Sequence, residues 1–190
     1  MGDSTTGDAM PRRLNIGCGT DIRPGYFNVD RSALPGVDRQ FDLATLPWPL
    51  PDAQFDEVLC DNILEHLWDC LGTMEEIWRV CRDGAKVHVR VPNWSSRWAW
   101  QDPTHVRPFT PEVFGFWDPD HGYCKQRPYY TPARFRVEAI VYEGCWFRPA
   151  WQFTIRAEGL RVPRRIRFLE LFSNTVHFLQ VELRAVKQDL

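Results

Sequence analysis

The chain has 190 residues, of which 44% are hydrophobic, and this is enough for one globular domain with a sizeable core. No apolar run approaches the roughly 20 residues that cross a bilayer, and the polar first ten residues lack the apolar segment of a signal peptide. We therefore expect a cytoplasmic protein whose six cysteines are reduced.

Charge is distributed unevenly along the chain. Residues 1–124 hold 11 Lys and Arg against 19 Asp and Glu, a net charge of −8, whereas residues 125–190 hold 12 against 6, a net charge of +6. The basic segment 125–190 suits an anionic substrate, or it is simply a solvated face. Because there is no long basic stripe and the total is −2, the sequence carries no strong nucleic-acid signal.

The first structured element is expected after a disordered leader, residues 1–11. An apolar strand at 13–16 runs into the Gly17-Cys18-Gly19 turn, and a second strand at 27–30 ends in Asp30. Glycine lets a backbone approach a ligand closely, and a carboxylate at the next strand end can accept hydrogen bonds from a ribose diol. This pattern predicts a nucleoside-bearing cofactor at the strand tips.

Further strand signals at 39–42, 56–61 and 85–91 alternate with helical signals at 62–70 and 73–82. This order predicts an α/β fold with a mostly parallel sheet and helices on its faces. Only 13 positions separate Gly17 from Asp30, against roughly 20 in a dinucleotide-binding fold. The first crossover helix is therefore expected to be reduced, which argues against a dehydrogenase.

The stretch 92–134 is rich in Pro, Trp and His and has little periodicity. A segment of this length inside a compact domain is usually functional, so we interpret it as a cap over a pocket. Residues 135–142 and 179–186 alternate cleanly and predict an antiparallel pair at a sheet edge. Between them, about 144–175 is expected to complete the cap; its basic-aromatic part, 161–172, fits a peripheral membrane contact, a protein interface or a plain surface helix.

Four segments in this order carry a resemblance to a known family: LNIGCG (14–19) with NVD (28–30), FDLATLPWP (41–49), FDEVLCDNILEHL (55–67) and EEIWRVCRDGAKVHVRVPN (75–93). The chain resembles the class I S-adenosylmethionine-dependent methyltransferases, of the small bacterial "methyltransferase domain" type. The resemblance implies a Rossmann-like, seven-stranded sheet whose last strand is antiparallel, within a single domain spanning 12–190. It also implies S-adenosylmethionine as the cofactor.

The resemblance assigns cofactor contacts residue by residue. Glycines of the first turn would face the methionine portion, Asp30 the ribose, and the 42–43 pair the adenine, while the end of the fourth strand would lie beside the sulfonium. The complete predicted set is Asn15, Gly17, Cys18, Gly19, Asp30, Asp42, Leu43, Cys60, Asp61 and Asn62.

Three residues are candidates for chemistry on the acceptor: His66, Asp102 and His105. Histidine is the usual proton acceptor near neutral pH, so His105 is a candidate general base; alternatively, it stabilises the cap through Asp102. His66 is a second candidate base or a structural feature of its helix. No metal is predicted. At the first candidate site, Asn62 with Glu65 and His66, asparagine is a poorer ligand for a hard cation than a carboxylate. At the second, His121 and Cys124 have the spacing of metal ligands, but there is no second pair to complete a site.

The predicted function is methyl transfer from S-adenosylmethionine to a small polar acceptor, preferably an oxygen of a sugar or other metabolite. Some relatives act in surface-polysaccharide pathways, and an anionic glycan or nucleotide sugar would suit the basic second half. The alternatives are a cofactor-binding scaffold without turnover, and an RNA or protein methyltransferase.

Overall fold

The computed structural model describes residues 12–145, 152–172 and 174–187, so the predicted leader, 1–11, lies outside the described residues. The strands are β1 (Arg13–Ile16), β2 (Phe27–Asp30), β3 (Arg39–Gln40), β4 (Phe55–Asp61), β5 (Cys81–Pro92), β6 (Phe135–Cys145), β7 (Gln152–Glu158) and β8 (Val176–Ala185). The α-helices are α1 (Cys70–Val80), α2 (Gly122–Gln126) and α3 (Arg164–Leu169). Short 3-10 helices cover Leu64–His66, Arg97–Ala99, Pro111–Phe116 and Pro128–Tyr130.

All eight strands form one sheet in the order β3-β2-β1-β4-β5-β8-β6-β7. The strands β1 to β5 pair in parallel, whereas β8 is antiparallel to both β5 and β6. This confirms the predicted Rossmann-like α/β class and the antiparallel pairing of the last strand. The count differs from the predicted seven, because Gln152–Glu158 forms a hairpin with β6 and becomes the edge strand.

The connection between β1 and β2 is fully described and contains no helix, as the short spacing predicts. Side-chain hydrogen bonds hold it instead. The buried amide of Asn15 donates to the carbonyl of Asp21 (2.8 Å) and to the side-chain oxygen of Asn28 (3.0 Å). The same Asn28 oxygen accepts from the backbone N–H of Arg23 (3.0 Å). The glycine turn therefore sits on a buried polar cluster.

The core lies on one face of the sheet. Alternate residues such as Val58, Val87 and Val181 are fully or almost fully buried there and pack with α1 and the cap. The opposite face carries polar side chains that pair across strands, including the half-buried pair of Arg90 with Glu143 and the buried pair of Asn15 with Asn28. Helices on both faces were expected, but the period-2 alternation of β5 and β8 belongs to a sheet that is packed on one side.

Two predicted boundaries are wrong. The helix expected at 62–70 is a single 3-10 turn, Leu64–His66, and α1 begins later, where the Asp69 carboxylate caps the Gly72 N–H at 2.8 Å. Strand β3 ends at Gln40 instead of Asp42. Asp42 instead turns the chain, because its carboxylate accepts from the Ala44 N–H (2.9 Å).

The 92–134 segment folds as a compact set of short helical turns. Phe109, Phe114 and Trp117 are buried and form the core of this segment, with Phe109 and Phe114 stacked at a centroid distance of 6.1 Å. A parallel bridge joins Asn93 to Phe109 within the segment, and the Asn93 N–H donates to the carbonyl of His177 in β8 (2.9 Å), which fixes the segment to the sheet. These three rings are therefore structural, whereas Trp94, Trp100, Tyr123, Tyr129 and Tyr130 are exposed.

Helix α3 contains the basic part of the second half of the chain. Ile166 is fully buried in the core, so the 161–172 segment packs against the domain at this residue. Phe168 and Leu171 remain exposed beside Arg164 and Arg167. Membrane contact through this segment stays a prediction. Across the described ranges, no helix has the length and apolarity needed to span a membrane.

Candidate active site

A cleft of about 370 Å³ opens at the carboxyl ends of β1 and β2. It is lined by Gly17, Asp30, Arg31, Asp42, Leu43, Ala44, Ile63, His66, Leu67 and Thr104. Ligands of open α/β sheets bind at this edge, because the loops after parallel strands converge there. We call this space the cofactor cleft.

Asp30 ties the two loops of the cleft together. One of its carboxylate oxygens accepts from the backbone N–H of Gly19 (2.9 Å), and the other accepts from that of Ser32 (2.8 Å). Each oxygen keeps lone-pair capacity after these bonds, since a carboxylate offers about four acceptor sites. The residue can therefore hold the loops and accept two ribose hydroxyls at once.

The turn at Asp42 and Leu43 forms another wall of the cleft. Leu43 is buried and its carbonyl accepts from the indole N–H of Trp48 (3.0 Å). Trp48 is in turn held by Glu76 of α1, whose carboxylate accepts from the Trp48 backbone N–H at 2.6 Å. The turn is thus anchored to the helix by buried hydrogen bonds.

A second cavity of about 290 Å³ adjoins the first. It is lined by Asn62, Glu65, His66, Pro92, Trp98, Gln101, Asp102, His105 and Phe178. His66 lines both spaces, so this side chain lies where they meet. We call the second space the acceptor cavity, and its mixture of one indole, one phenyl ring and several polar groups suits a small polar molecule.

His66 is oriented by a hydrogen-bonded chain from the cap. The Thr104 hydroxyl donates to the Asp102 carboxylate (2.7 Å). The oxygen of this hydroxyl, Oγ1 of Thr104, lies 2.8 Å from Nδ1 of His66. Because the single hydroxyl proton is directed to Asp102, Nδ1 must be the donor, and this assigns the lone pair to Nε2. Hydrogen bonds from Thr104 lower the pKa of Asp102, while burial and then the nearby His105 lower the pKa of His66.

Both His105 and Glu65 lie next to His66: His105 belongs to the cap, and Glu65 belongs to the same turn as His66. The backbone N–H of Val106 donates to the Glu65 carbonyl (2.8 Å), which fastens the cap to the turn after β4. The His66 and His105 rings are edge-to-face with centroids 4.6 Å apart. Glu65 is only 1% exposed, and burial raises its pKa to about 7.

The structure brings Gly17, Asp30, Asp42 and Leu43 together in one cleft and places Asn62, His66, Asp102 and His105 around the other. The remaining predicted residues lie elsewhere. Asn15 is buried beneath the glycine turn and Cys18 is a buried residue of the turn itself. Gly19 bonds to Asp30, and Cys60 and Asp61 line a cavity of about 480 Å³ on the polar face of the sheet.

Several lining residues were not predicted. Thr104 lies between Asp102 and His105, and its place in that motif was a usable signal. Glu65 was considered with His66 but not assigned to the site. Phe178 comes from the start of β8, more than 70 positions further along the chain, and nothing local in the sequence indicates that it lines the acceptor cavity.

The chain is similar to known proteins in both sequence and fold. Residues 2–89 match the family model described as "Methyltransferase domain". A crystal structure of a SAM-dependent methyltransferase from Archaeoglobus fulgidus has a TM-score of 0.59 with 17% identity, covering 93% of this chain and 86% of that one. A Thermotoga maritima structure, described as a possible histamine N-methyltransferase, has a TM-score of 0.60 with 14% identity, covering 93% and 82%.

A curated relative comes from Mycolicibacterium smegmatis and is called a probable S-adenosylmethionine-dependent methyltransferase. It is 44% identical over 64 residues, which are 33% of this chain and 24% of the relative. The chain thus spans about a quarter of the length of that relative. The structural matches show that the chain has the fold of S-adenosylmethionine-dependent methyltransferases, and the sequence matches show that it is similar to them over residues 2–89 and over a stretch of 64 residues.

Proposed function

We propose that this protein transfers a methyl group from S-adenosylmethionine to an oxygen of a small polar acceptor. The observation that carries the proposal is the shared wall of the two cavities at His66. A donor in the cofactor cleft and an acceptor in the neighbouring cavity would meet at that wall. Methyl transfer is an in-line displacement, so holding the two reactants in line supplies much of the catalysis.

The cofactor contacts follow from the cleft in this proposal. Asp30 binds the ribose hydroxyls, the turn at Asp42 and Leu43 reads the adenine edge, and the backbone at Gly17 passes beside the methionine portion. Gly19 contributes through its bond to Asp30. Asn15 supports the turn from below, and Cys18 packs within the turn. Asp61 and Cys60, at the end of β4, support the cleft from further away.

In the reaction, the acceptor oxygen forms a bond to the methyl carbon while the bond from carbon to sulfur breaks. The electron pair of that bond stays on sulfur, which becomes a neutral thioether, and the hydroxyl proton leaves. His66 and His105 border the acceptor cavity and are the candidate acceptors of that proton. Asp102 acts on His66 through Thr104.

The acceptor class we propose is a sugar hydroxyl, on an anionic glycan or nucleotide sugar. Trp98 and Phe178 line the cavity with their rings roughly parallel, at a centroid distance of 6.3 Å, and such aromatic groups suit the face of a sugar. The cap, 92–134 with parts of about 144–175, is the proposed source of selectivity. We also propose a cytoplasmic location, which six free cysteines support.

Isothermal titration calorimetry with S-adenosylmethionine and its demethylated product tests the proposal. We expect both to bind with one site per chain. Absence of binding by either ligand would overturn the proposal. Binding without release of S-adenosylhomocysteine across a panel of sugar and nucleotide-sugar hydroxyls would favour the non-catalytic scaffold.

A further inference from the structure

Two groups of exposed side chains share the short segment 161–172 around helix α3. The first group is basic and consists of Arg161, Arg164, Arg165 and Arg167. The second group is apolar and consists of Phe168, Leu171 and Phe172. A single exposed leucine is ordinary, but several large apolar side chains grouped on a surface mark an interaction site. We call the exposed side of this segment the arginine surface.

The helical backbone brings the apolar side chains of the arginine surface together. The N–H of Leu171 donates to the carbonyl of Phe168 (3.2 Å), and that of Phe172 donates to the carbonyl of Leu169 (3.0 Å), so the helical path continues past α3. Residues three and four apart lie side by side on a helix, so Leu171 and Phe172 both lie next to Phe168. The rings of Phe168 and Phe172 meet edge to face at a centroid distance of 5.4 Å. The opposite side of the helix packs on the core through Ile166.

The arginines surround this apolar group. Arg164 precedes Phe168 by four residues and lies on the same side of the helix, while Arg165 and Arg167 lie on its two flanks. In the part of the chain that the structure describes, none of the four arginines of 161–172 forms an ion pair. Glu170 is the one acidic residue of this segment, and it is half-buried. The arginine surface therefore has a net positive charge.

Two exposed indoles of the cap lie beside the arginine surface. The side-chain amide of Asn93 donates to the carboxylate of Glu170 (3.3 Å), which joins the following cap turn to the end of α3. On this turn Trp94 is 41% exposed and Trp100 is 66% exposed. Tryptophan is enriched where water meets lipid, because its ring is apolar and its N–H is polar. Trp98 of the same turn lines the acceptor cavity, so the arginine surface lies near that cavity.

We propose that the arginine surface, together with Trp94 and Trp100, docks on an anionic lipid bilayer. A helix with arginines beside phenylalanine and leucine lies in the plane of a membrane surface, with its apolar side chains between the headgroups. Guanidinium groups bind phosphate through paired hydrogen bonds, and anionic headgroups attract the net positive charge. A bilayer satisfies both groups of side chains at once, because its phosphates lie directly above its acyl chains.

Sedimentation with lipid vesicles tests the docking of the full chain. One set of vesicles is an equimolar mixture of phosphatidylcholine and phosphatidylglycerol, and the other is phosphatidylcholine alone. At low ionic strength we expect strong binding to the mixed vesicles and little to phosphatidylcholine. Binding should weaken as salt is added, because salt screens exposed charges.

Variants assign the binding to the arginine surface. Arg164→Gln with Arg165→Gln should weaken binding to the mixed vesicles roughly 10-fold or more, at about 5-fold per arginine. Leu171→Gln should weaken it by about 5-fold, because an apolar contact between the headgroups is lost. The matched control is Lys86→Gln with Arg136→Gln, which removes the same charge toward the end of the sheet opposite to the cap turn. This control should bind as the wild type does.

Three results with the vesicles would overturn the proposal: no binding to the mixed vesicles, equal binding by wild type and all variants, or an equal loss in the matched control. Sedimentation velocity provides a fourth. A dimer that Leu171→Gln dissociates, in a protein that does not bind vesicles, would make this surface a protein interface.

The same proteins keep this proposal separate from the proposed function. Calorimetry with S-adenosylmethionine reports on the cofactor cleft, which none of the substituted residues lines, so we expect its affinity to be unchanged. Loss of cofactor binding with vesicle binding intact would count against the proposed function alone. Circular dichroism of each variant establishes that lost vesicle binding is not lost folding.

Discussion

Gly17 and Ile63 are packed so closely that a Cβ atom at position 17 would lie 2.1 Å from Cδ1 of Ile63. Gly17 also has a positive φ of 62°. The sequence pattern alone suggested that this glycine makes room for the cofactor, whereas the structure shows that it first makes room for a side chain. Since both residues line the cofactor cleft, their contact sets the shape of its floor.

The Gly17→Ala substitution is expected to destabilise the fold by about 2–4 kcal/mol, as the sum of left-handed backbone strain and an overpacked contact. Urea unfolding followed by fluorescence measures this. Gly19→Ala is the matched control, because Gly19 also has a positive φ but a Cβ there would meet nothing within 4 Å. It should cost only the strain, about 1–2 kcal/mol.

The double variant Gly17→Ala with Ile63→Ala identifies the cause. If the clash dominates, the second substitution should recover part of the stability lost in the first, giving strongly non-additive free energies. Additive losses would show that Ile63 is not the neighbour that excludes a side chain at position 17.

Asp30→Ala is expected to weaken S-adenosylmethionine binding by about 1–3 kcal/mol, or roughly 5- to 150-fold, because the ribose hydroxyls lose their acceptor. The same carboxylate holds the N–H groups of Gly19 and Ser32, so loop geometry could also contribute. Calorimetry with a 2′,3′-dideoxy analogue of the demethylated product separates the two. The analogue should bind wild type and variant with similar affinity. Weaker binding of the analogue to Asp30→Ala than to wild type would show that the substitution acts through the loops.

The cofactor side could be predicted from sequence because its information is local. Gly17, Asp30 and Asp42 each lie within a residue or two of a strand end, and parallel strands deliver those ends to one edge. Cys60 does not line the cleft, because it is buried on β4, one position before the strand ends, and its assignment as a cofactor contact stays a prediction.

The acceptor side could be predicted only in part. His105 lies 39 positions after His66, and their contact depends on the Val106–Glu65 backbone bond, a detail of how the cap folds. The extra strand β7 was missed although Phe153, Ile155 and Ala157 alternate with polar residues.

Arg79 is expected to be a large stability determinant despite its charge. It donates to the carbonyls of Leu50 (2.8 Å) and Trp48 (3.0 Å) and pairs with the buried Glu76 at 2.7 Å. Arg79→Met leaves that carboxylate and two carbonyls without this donor, so we expect a loss of about 2–4 kcal/mol in urea unfolding. This network supports the turn at Asp42 and Leu43, which lines the cofactor cleft. Arg79→Met should therefore also weaken the binding of S-adenosylmethionine.

The matched control is Arg82→Met. Arg82 is more exposed, with one bond to the Ala53 carbonyl (3.1 Å) and a 3.8 Å pair with Asp56. Its loss should cost no more than about 1 kcal/mol. Equal effects of the two substitutions would mean that the Arg79 network adds nothing beyond an ordinary surface ion pair.

Thiol reactivity tests the packing of the core beneath both cavities. Burial raises the pKa of Cys70 to about 11 and of Cys81 to about 12, and raises that of Cys60 well above its usual range. A thiol reacts as its thiolate, so these three should be inert in the native protein at pH 8. Cys18 and Cys124 are buried as well, which leaves the half-buried Cys145, 3.6 Å from His177.

We therefore expect one fast thiol per chain with Ellman's reagent, and six after unfolding in guanidinium chloride. Cys145→Ser should remove the fast reaction, and Cys124→Ser should leave it intact. A second fast thiol that disappears in Cys18→Ser and slows with bound S-adenosylmethionine would contradict the closed packing beneath Gly17 and Gly19. The glycine turn would then open in solution, because Cys18 is only 5% exposed when the turn is closed.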